Sequence, residues 1–212
     1  MNEYHKIQTV FLRDPATNHK TLLQGNWALP EFEYLSDNEW TFTEKVDGTN
    51  IRIMFDGNTI TFGGKTDSVQ IPKFLLTILE GKFLPLEAQF REAFPNGVCL
   101  YGEGYGAKIQ KGGGNYCGLQ DFVLFDVKIG EWWLQRPAVS DIGIAFGIDV
   151  VPIIGVGTLY DMVVMVRDGF ISQWGDFIAE GIVARPSLEL KSRNGSRIIT
   201  KLKYKDFPRS QR

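Results

Sequence analysis

The sequence lacks the features that mark several classes of protein. Only two of its 212 residues are cysteine, and Cys99 and Cys117 show neither metal-ligand spacing nor a disulfide framework. No run of 18 apolar residues is present, and the N-terminus lacks the charged-then-apolar form of a signal peptide. The sequence therefore predicts a cytoplasmic protein with reduced thiols and no membrane partner.

The sequence also has no excess of positive charge. The net charge is -2 and the pI is about 5.8, so no global basic field points to nucleic acid, and any polyanion must bind at a local patch. What the chain does contain is apolar material: 43% of residues are hydrophobic, including 15 Phe, 7 Tyr and 5 Trp. This composition predicts a globular chain of one large or two small domains with a substantial core.

Strand and helix patterns follow one another without the regular alternation of a parallel sheet. Residues 41–55 alternate as two strands, Asp56-Gly57 predicts a hairpin, and Asn194-Gly195 predicts a second hairpin whose return strand is Ser196 to Tyr204. Helices are predicted after Pro72 and Pro85, over residues 137–147 and over residues 160–167. This order predicts an α+β fold of antiparallel sheets with flanking helices.

The most informative segment is EKVDGTN at residues 44–50. Lys45 ends one alternating run and precedes an Asp-Gly turn, so the backbone holds it on both sides. A lysine has a free pKa of about 10.4 and becomes a nucleophile only when burial or nearby cations lower that pKa. On chemistry alone, three roles are open to Lys45. It could form a Schiff base, form a phosphoramide, or only donate hydrogen bonds from a solvated turn.

Charged residues recur at predicted strand ends, often beside glycine. Glu103 lies within YGEG at residues 101–104, and Glu180 precedes Gly181. In KLKYK at residues 201–205, a period of two places three lysines on one strand face. Each feature alone is typical of a turn or of a solvated edge strand, and only their order along the chain is specific.

The ordered set resembles the covalent nucleotidyltransferase superfamily of polynucleotide ligases and mRNA capping enzymes. EKVDG resembles the nucleophile motif of that superfamily, and the continuation Thr49-Asn50 points to RNA ligases. Further segments are similar to the RNA ligase 2-like family, namely YGE at 101–103 with Gly106, IQK at 109–111, DFVLFD at 121–126, EGIV at 180–183 and KLK at 201–203. The resemblance implies one nucleotidyltransferase (ATP-grasp-like ligase adenylation) domain over residues 1–212.

The resemblance also implies a reaction and a role for each matching residue. Lys45 attacks the α-phosphorus of ATP to form lysyl-AMP, AMP passes to an RNA 5′-phosphate, and a 3′-hydroxyl then displaces it. Lys201 and Lys203 correspond to the pair that contacts the α-phosphate, and Mg²⁺ or Mn²⁺ is expected with the triphosphate. The remaining candidates are Glu103 for the ribose hydroxyls, Phe125 for adenine, Glu180 for the divalent metal, Asn50 near the ribose and phosphates, and Glu44 and Lys65 as further nucleotide-binding residues.

Phe125 has a second interpretation as an ordinary core residue, because apolar residues surround it. Alternation places it on the face opposite Phe122 and Leu124, which is compatible with stacking on a base. Lys65 stands where the family usually has an arginine, and lysine supplies the charge without the bidentate fork.

The chain ends soon after the lysine run, and no C-terminal OB-fold or helical domain is predicted. A partner protein or a built-in basic surface is therefore expected to help hold the RNA ends, whether a nicked duplex or a single strand. Three alternatives stay open: a DNA ligase, a guanylyltransferase, or a module that binds nucleotide or RNA without turnover. The candidate basic residues are Lys108, Lys111, Lys191, Arg193, Arg197, Arg209 and Arg212.

Overall fold

The computed structural model describes residues 3–208, so Arg209 and Arg212 lie outside the described residues. The chain divides into two compact units. The central unit consists of Asp47–Val151 together with the N-terminal residues through His5, and the terminal unit consists of Lys6–Val46 and the chain from Pro152 onward. The boundary between them falls directly after Val46, one residue beyond Lys45. The predicted single nucleotidyltransferase domain stays a prediction.

Strands supply most of the framework in both units. In chain order they are β1 Gln8–Thr9, β2 Phe11–Arg13, β3 Leu22–Trp27, β4 Trp40–Glu44, β5 Thr49–Phe55, β6 Ile60–Gly63, β7 Val98–Gly106, β8 Gln120–Ile129, β9 Trp132–Trp133, β10 Ile153–Gly157, β11 Gly181–Pro186 and β12 Thr200–Lys203. The α-helices are α1 Pro30–Tyr34, α2 Lys73–Phe83, α3 Glu87–Ala93, α4 Arg136–Phe146 and α5 Leu159–Asp168. The α+β fold with mainly antiparallel sheets is confirmed.

The central unit is a five-stranded antiparallel sheet in the order β6-β5-β7-β8-β9. Alternate residues of β5 face its core, where Ile51, Ile53 and Phe55 pack with buried residues of the three helices α2, α3 and α4. Burying one such side chain stabilises the fold by roughly 1.5–3 kcal/mol. The opposite face of the sheet does not pack against this core, and it carries Asn50 and Arg52.

The terminal unit has its own five-stranded sheet, in the order β1-β12-β11-β4-β10. β1 pairs with β12 in parallel, and the other pairs are antiparallel. α5 covers a core that includes Trp40 and Phe42 from β4 and Leu202 from β12. α5 begins with a capping box in which Thr158 and Asp161 exchange hydrogen bonds, and Gly169 follows its last residue.

The predicted return strand from Ser196 to Tyr204 is wrong at both ends. β12 begins at Thr200 and ends at Lys203, because Tyr204–Asp206 forms a 3-10 turn in which the Lys203 amide donates to Asp206 Oδ2 at 3.0 Å. Lys205 therefore does not continue the strand face of Lys201 and Lys203.

Two further expectations concern the thiols and membrane insertion. Both cysteines are free thiols in this structure. Burial raises the pKa of the Cys99 thiol, which makes it a poor nucleophile. Between residues 3 and 208, no helix combines the length and the apolar character needed to span a bilayer.

Candidate active site

Lys45 lies immediately after β4 in the terminal unit, and backbone and side-chain bonds hold it there. Its amide donates to the Gly181 carbonyl at 2.9 Å, and its Nζ forms an ion pair with Glu180 Oε2 at 2.7 Å. Nζ also lies 3.3 Å from the Val46 carbonyl oxygen. The amine is thus fixed at a strand end, in the arrangement that the sequence predicts.

Glu180 links Lys45 to a second lysine. Its other oxygen, Oε1, lies 2.6 Å from Lys203 Nζ, and the backbone supports this pairing because the Tyr204 amide donates to the Glu180 carbonyl at 2.8 Å. The Glu180 side chain is only 9% exposed, so both ion pairs are partly shielded from water. We call Lys45, Glu180 and Lys203 the lysine–glutamate cluster.

Antiparallel pairing of β11 and β12 explains why these residues meet. Gly181 stands opposite Lys203, and Val183 stands opposite Lys201. A Cβ atom on Gly181 would overlap the Leu202 carbonyl oxygen, so glycine after Glu180 permits the close approach of the two strands. Lys201 is half-buried and lies two residues before Lys203, on the same face of β12.

Glu44 is buried and holds the loop that leads to Glu180. Its Oε1 accepts a hydrogen bond from Ser172 Oγ at 2.6 Å, and its Oε2 accepts one from the Gln173 amide at 2.8 Å. Burial raises the pKa of the Glu44 carboxyl despite these two hydrogen bonds. The sequence did not reveal Ser172 or Gln173, since neither lies in a recognised motif. The interpretation of Glu44 as a nucleotide-binding residue stays a prediction.

In the central unit, Asn50 and Glu103 are cross-strand partners in the β5–β7 pairing. They lie on the sheet face opposite the core, and Gly48 packs against Glu103: a Cβ on Gly48 would lie 2.7 Å from Glu103 Cγ. Asn50 Oδ1 is buried and has no hydrogen-bond partner among residues 3–208. A buried acceptor without a donor costs about 1–3 kcal/mol, which marks this point as suited to a ligand that carries a donor.

Phe125 is the extra residue of a β-bulge in β8. The register of β7 and β8 passes from Tyr101↔Asp126 to Gly102↔Leu124, which leaves Phe125 without an opposite residue. Phe125 is half-buried and lies outside the hydrophobic core that holds Phe122 and Leu124. The structure thus excludes the core interpretation for Phe125, while stacking on adenine stays a prediction.

The N-terminal residue Tyr4 packs beside Phe125, a contact that the sequence did not indicate. The two rings meet edge to face with centroids 5.1 Å apart, and the Tyr4 hydroxyl donates to Asp126 Oδ2 at 2.5 Å. Tyr4 is buried although it lies almost at the chain end. It therefore helps fix the orientation of the Phe125 ring.

Lys65 is exposed on the loop after β6, and a buried arginine holds that loop. Arg52 is fully buried, and its Nε donates to the Gly64 carbonyl at 2.8 Å. Its Nη2 forms an ion pair with Asp67 Oδ1 at 2.6 Å. Arg52 was missed at the sequence level because a single charge inside an alternating strand is typical of a solvated face.

The glycine-rich loop contacts the turn that begins the central unit. The Asp47 amide donates to the Tyr116 hydroxyl at 3.3 Å, and Gln110 Nε2 donates to the Gly48 carbonyl at 3.1 Å. Gln110 belongs to the IQK segment that resembles the RNA ligase 2-like family. Its bond to Gly48 gives that segment a physical role, since it helps fix the Asp47-Gly48 turn of the lysine motif.

Comparison with known families identifies the chain. The family model described as RNA ligase matches residues 38–203, which is most of the chain and includes every predicted site residue from Glu44 to Lys203. The chain belongs to the RNA ligase family. No match was found among curated protein sequences.

Solved structures with the same fold include several of an RNA ligase from Naegleria gruberi. The structure of that enzyme described with PPi is 17% identical to the present chain, with a TM-score of 0.67. The match covers 93% of the present chain and 54% of the Naegleria gruberi chain. A substituted form described with ATP and Mn gives 15% identity and a TM-score of 0.68, covering 96% and 56%. One with AMP and Mn gives 16% identity and a TM-score of 0.68, covering 95% and 55%. At this identity the likeness shows the fold, and the chain spans about half the length of those proteins.

Proposed function

We propose that this protein is an ATP-dependent RNA ligase that acts through a covalent lysyl-AMP intermediate. The neutral Lys45 Nζ attacks the α-phosphorus of ATP; an N–P bond forms, the bond from phosphorus to the α–β bridging oxygen breaks, pyrophosphate leaves with the electron pair, and the amine releases one proton to solvent. AMP then passes to an RNA 5′-phosphate, and a 3′-hydroxyl displaces AMP to join the strands. The observation that carries this proposal is the lysine–glutamate cluster, in which one carboxylate holds the Lys45 amine beside a second ammonium.

The cluster also indicates how the nucleophile is controlled. Attack on phosphorus needs a Lys45 amine whose lone pair is not engaged, whereas its Nζ here lies 2.7 Å from Glu180 Oε2 in an ion pair. The charge of Lys203 suits the phosphate oxygens in the transition state. We infer that Glu180 must turn from Lys45 toward another cation before the reaction, and that the observed pairing is the resting state.

The residues present suit a divalent cation that is carried mainly by the nucleotide. Within residues 3–208, no group of three or more His, Cys, Asp or Glu side chains is placed to hold a metal. Mg²⁺ characteristically keeps several waters and binds through one or two carboxylates plus substrate phosphates, and Glu180 provides such a carboxylate. When bound, the cation would neutralise phosphate charge. The Naegleria gruberi enzyme described with ATP and Mn supports this part of the proposal.

The central unit supplies groups suited to recognising adenosine. Glu103 accepts hydrogen bonds from ribose hydroxyls, and Asn50 Oδ1 offers a buried acceptor that has no partner within the described residues. Phe125 presents a ring outside the core for stacking on the base. Lys65, on the loop held by Arg52, is assigned to the phosphate of the RNA end.

A labelling experiment tests the first step. The protein is incubated with α-labelled ATP or GTP and a divalent cation, and the products are separated on a denaturing gel. We expect label from ATP only, absent from Lys45→Ala and retained by Lys6→Ala, which changes an exposed lysine of the same unit. Label from GTP alone would indicate a guanylyltransferase, and no label from either nucleotide would indicate a binding module.

A sealing panel tests the later steps. The pre-adenylylated protein is given RNA and DNA substrates with a 5′-phosphate and a 3′-hydroxyl, as nicked duplexes and as single strands. We expect joining of RNA ends and discharge of the adduct. Joining of DNA ends alone would overturn the assignment to RNA and leave the lysyl-AMP step intact.

A further inference from the structure

A second group of cations lines a cavity of the terminal unit. The cavity has a volume of about 370 Å³, and its lining residues are Arg13, Lys20, Lys203, Lys205 and Asp206. Four of these five side chains are cationic, in a chain whose net charge is -2. Such a concentration of positive charge is therefore a local property of this cavity, and a polyanion would offset the repulsion among its cations.

Asp206, the carboxylate among the described lining residues, is already engaged. Asp206 Oδ1 is ion-paired with Arg13 Nη2 at 2.8 Å, and its Oδ2 accepts the Lys203 amide. Arg13 is held further by the His19 carbonyl, 3.1 Å from its Nη1. The arginine is thus held at the cavity wall by two bonds, and its side chain remains partly exposed.

Lys20 and Lys205 remain available to a ligand. Both are exposed, and neither has an ion-pair partner in the part of the chain from residue 3 to residue 208. They arrive from different elements: Lys20 lies on the turn between β2 and β3, and Lys205 lies on the 3-10 turn that ends β12. The early end of β12, which the sequence did not predict, is what turns Lys205 toward this cavity.

Lys203 belongs both to this cavity and to the lysine–glutamate cluster. Its Nζ lies 2.6 Å from Glu180 Oε1, while Glu180 Oε2 lies 2.7 Å from the Lys45 amine. Groups bound in the cavity are therefore one side chain away from the residues assigned to the α-phosphate. In phosphoryl-type transfer the attacking and leaving atoms lie roughly in line with the phosphorus, so the leaving group needs cationic partners beyond the α-phosphate.

We propose that this cavity binds the β- and γ-phosphates of ATP and then the pyrophosphate that leaves. Arg13, Lys20 and Lys205 neutralise the charge that accumulates on the leaving group when the α–β bridging bond breaks, and Lys203 connects them to the attacked phosphorus. This inference rests on the proposed function, because it assigns the leaving-group site of the same reaction.

Direct binding tests the cavity without any turnover. Pyrophosphate is titrated calorimetrically into the wild-type protein, into Lys20→Ala, Lys205→Ala and the double variant, and into Lys6→Ala as the matched control. We expect the dissociation constant to rise roughly three-fold for each lysine removed and about ten-fold in the double variant, with Lys6→Ala unchanged. Unchanged pyrophosphate binding in the double variant would overturn the proposal.

Reaction kinetics separate this site from one that binds RNA. In the double variant, the ATP concentration for half-maximal adenylylation and the pyrophosphate concentration that discharges lysyl-AMP should both rise about ten-fold. Transfer of AMP from the pre-adenylylated protein to a 5′-phosphorylated RNA should not change. A defect confined to the RNA step overturns the assignment in favour of an RNA backbone site. A wild-type protein that binds pyrophosphate through Lys20 and Lys205 but takes no label from ATP would sustain the cavity and overturn the lysyl-AMP proposal.

Discussion

The two units carry different kinds of candidate side chain on similar frameworks of strands. In the terminal unit Glu180 is ion-paired with both Lys45 and Lys203. In the central unit Asn50, Glu103 and Phe125 provide an amide, a carboxylate and an aromatic ring outside the hydrophobic core. The first arrangement suits the handling of phosphate charge, and the second suits recognition of hydroxyl groups and a planar base.

Both units use glycine beside a functional residue for the same reason. A Cβ on Gly48 would clash with Glu103 and with the Gly104 backbone, and a Cβ on Gly181 would overlap the Leu202 carbonyl oxygen. Each glycine lets a second strand approach the functional side chain closely. Because both units use glycine in this way, they differ in the side chains that they present and not in this backbone feature.

The largest effect is expected from removing the Lys45 amine while its charge is kept. In Lys45→Arg the guanidinium can still pair with Glu180, but it stays protonated and cannot act as a nucleophile. We expect adduct formation to fall at least about a thousand-fold, with a melting temperature close to that of the wild type. Labelling gels and thermal unfolding measure the two effects. Adduct formation by Lys45→Arg at wild-type levels would contradict the assignment of the nucleophile.

The second prediction sharpens the contrast between recognition and chemistry. Glu103→Gln weakens the hydrogen bonds that a charged carboxylate makes to ribose, which are worth about 1.5–3 kcal/mol. We expect the KM for ATP in adenylylation to rise roughly ten- to a hundred-fold, with little change in the rate at saturating ATP. The matched variant Glu180→Gln in the terminal unit should lower that rate instead, because it removes the carboxylate assigned to the divalent cation. If both substitutions lower the saturated rate equally, the division of roles between the units is wrong.

The strand-end positions of Lys45, Glu180 and Lys203 could be predicted because each is fixed by local backbone. Lys45 directly follows β4, Glu180 directly precedes β11, and Lys203 ends β12. Alternation and the family resemblance gave these positions, but they did not predict the ion pairs that join Glu180 to the two lysines.

Contacts that depend on distant segments could not be predicted in the same way. Glu44 is held by Ser172 and Gln173, which are more than a hundred residues away in sequence. Lys205 was placed on a strand face because its alternation continues that of Lys201 and Lys203, and the bond from the Lys203 amide to Asp206 outweighed that pattern. Side-chain partners of this kind are determined by tertiary packing. The periodicity of apolar and polar residues in the sequence does not indicate them.

The third prediction compares two phenylalanines of the same strand. Phe125 lies on the bulge outside the core, whereas Phe122 is fully buried. Phe125→Leu should lower the affinity for ATP several-fold, since ring stacking contributes about 0.5–1.5 kcal/mol beyond burial. Phe122→Leu should instead lower the free energy of unfolding by about 1–3 kcal/mol and leave ATP affinity largely unchanged. Nucleotide titration measures the loss of ATP affinity, and urea unfolding measures the loss of stability. If Phe125→Leu lowered stability and Phe122→Leu lowered ATP affinity, Phe125 would be assigned to the core.

The smallest effect concerns Glu44, a buried carboxyl whose hydrogen bonds come from Ser172 and Gln173. Burial raises the pKa of its carboxyl above the ordinary value of 4.5. For a carboxyl whose folded pKa is raised, the stabilising contribution is present below the unfolded pKa and is lost as pH rises through the folded pKa. Glu44→Gln does not titrate in this interval. We therefore expect its free energy of unfolding, relative to wild type, to increase as pH rises from 4.5 through the raised pKa.

Urea unfolding at a series of pH values measures this difference directly. The glutamine is also expected to change stability by an amount that does not depend on pH, because its amide replaces the protonated carboxyl beside Ser172 and Gln173. That offset does not affect the test, which depends only on the change in the difference with pH. Parallel curves for the two proteins would show that Glu44 ionises as readily in the folded chain as in the unfolded one. Burial would then impose no cost on the ionised carboxylate beside Lys45.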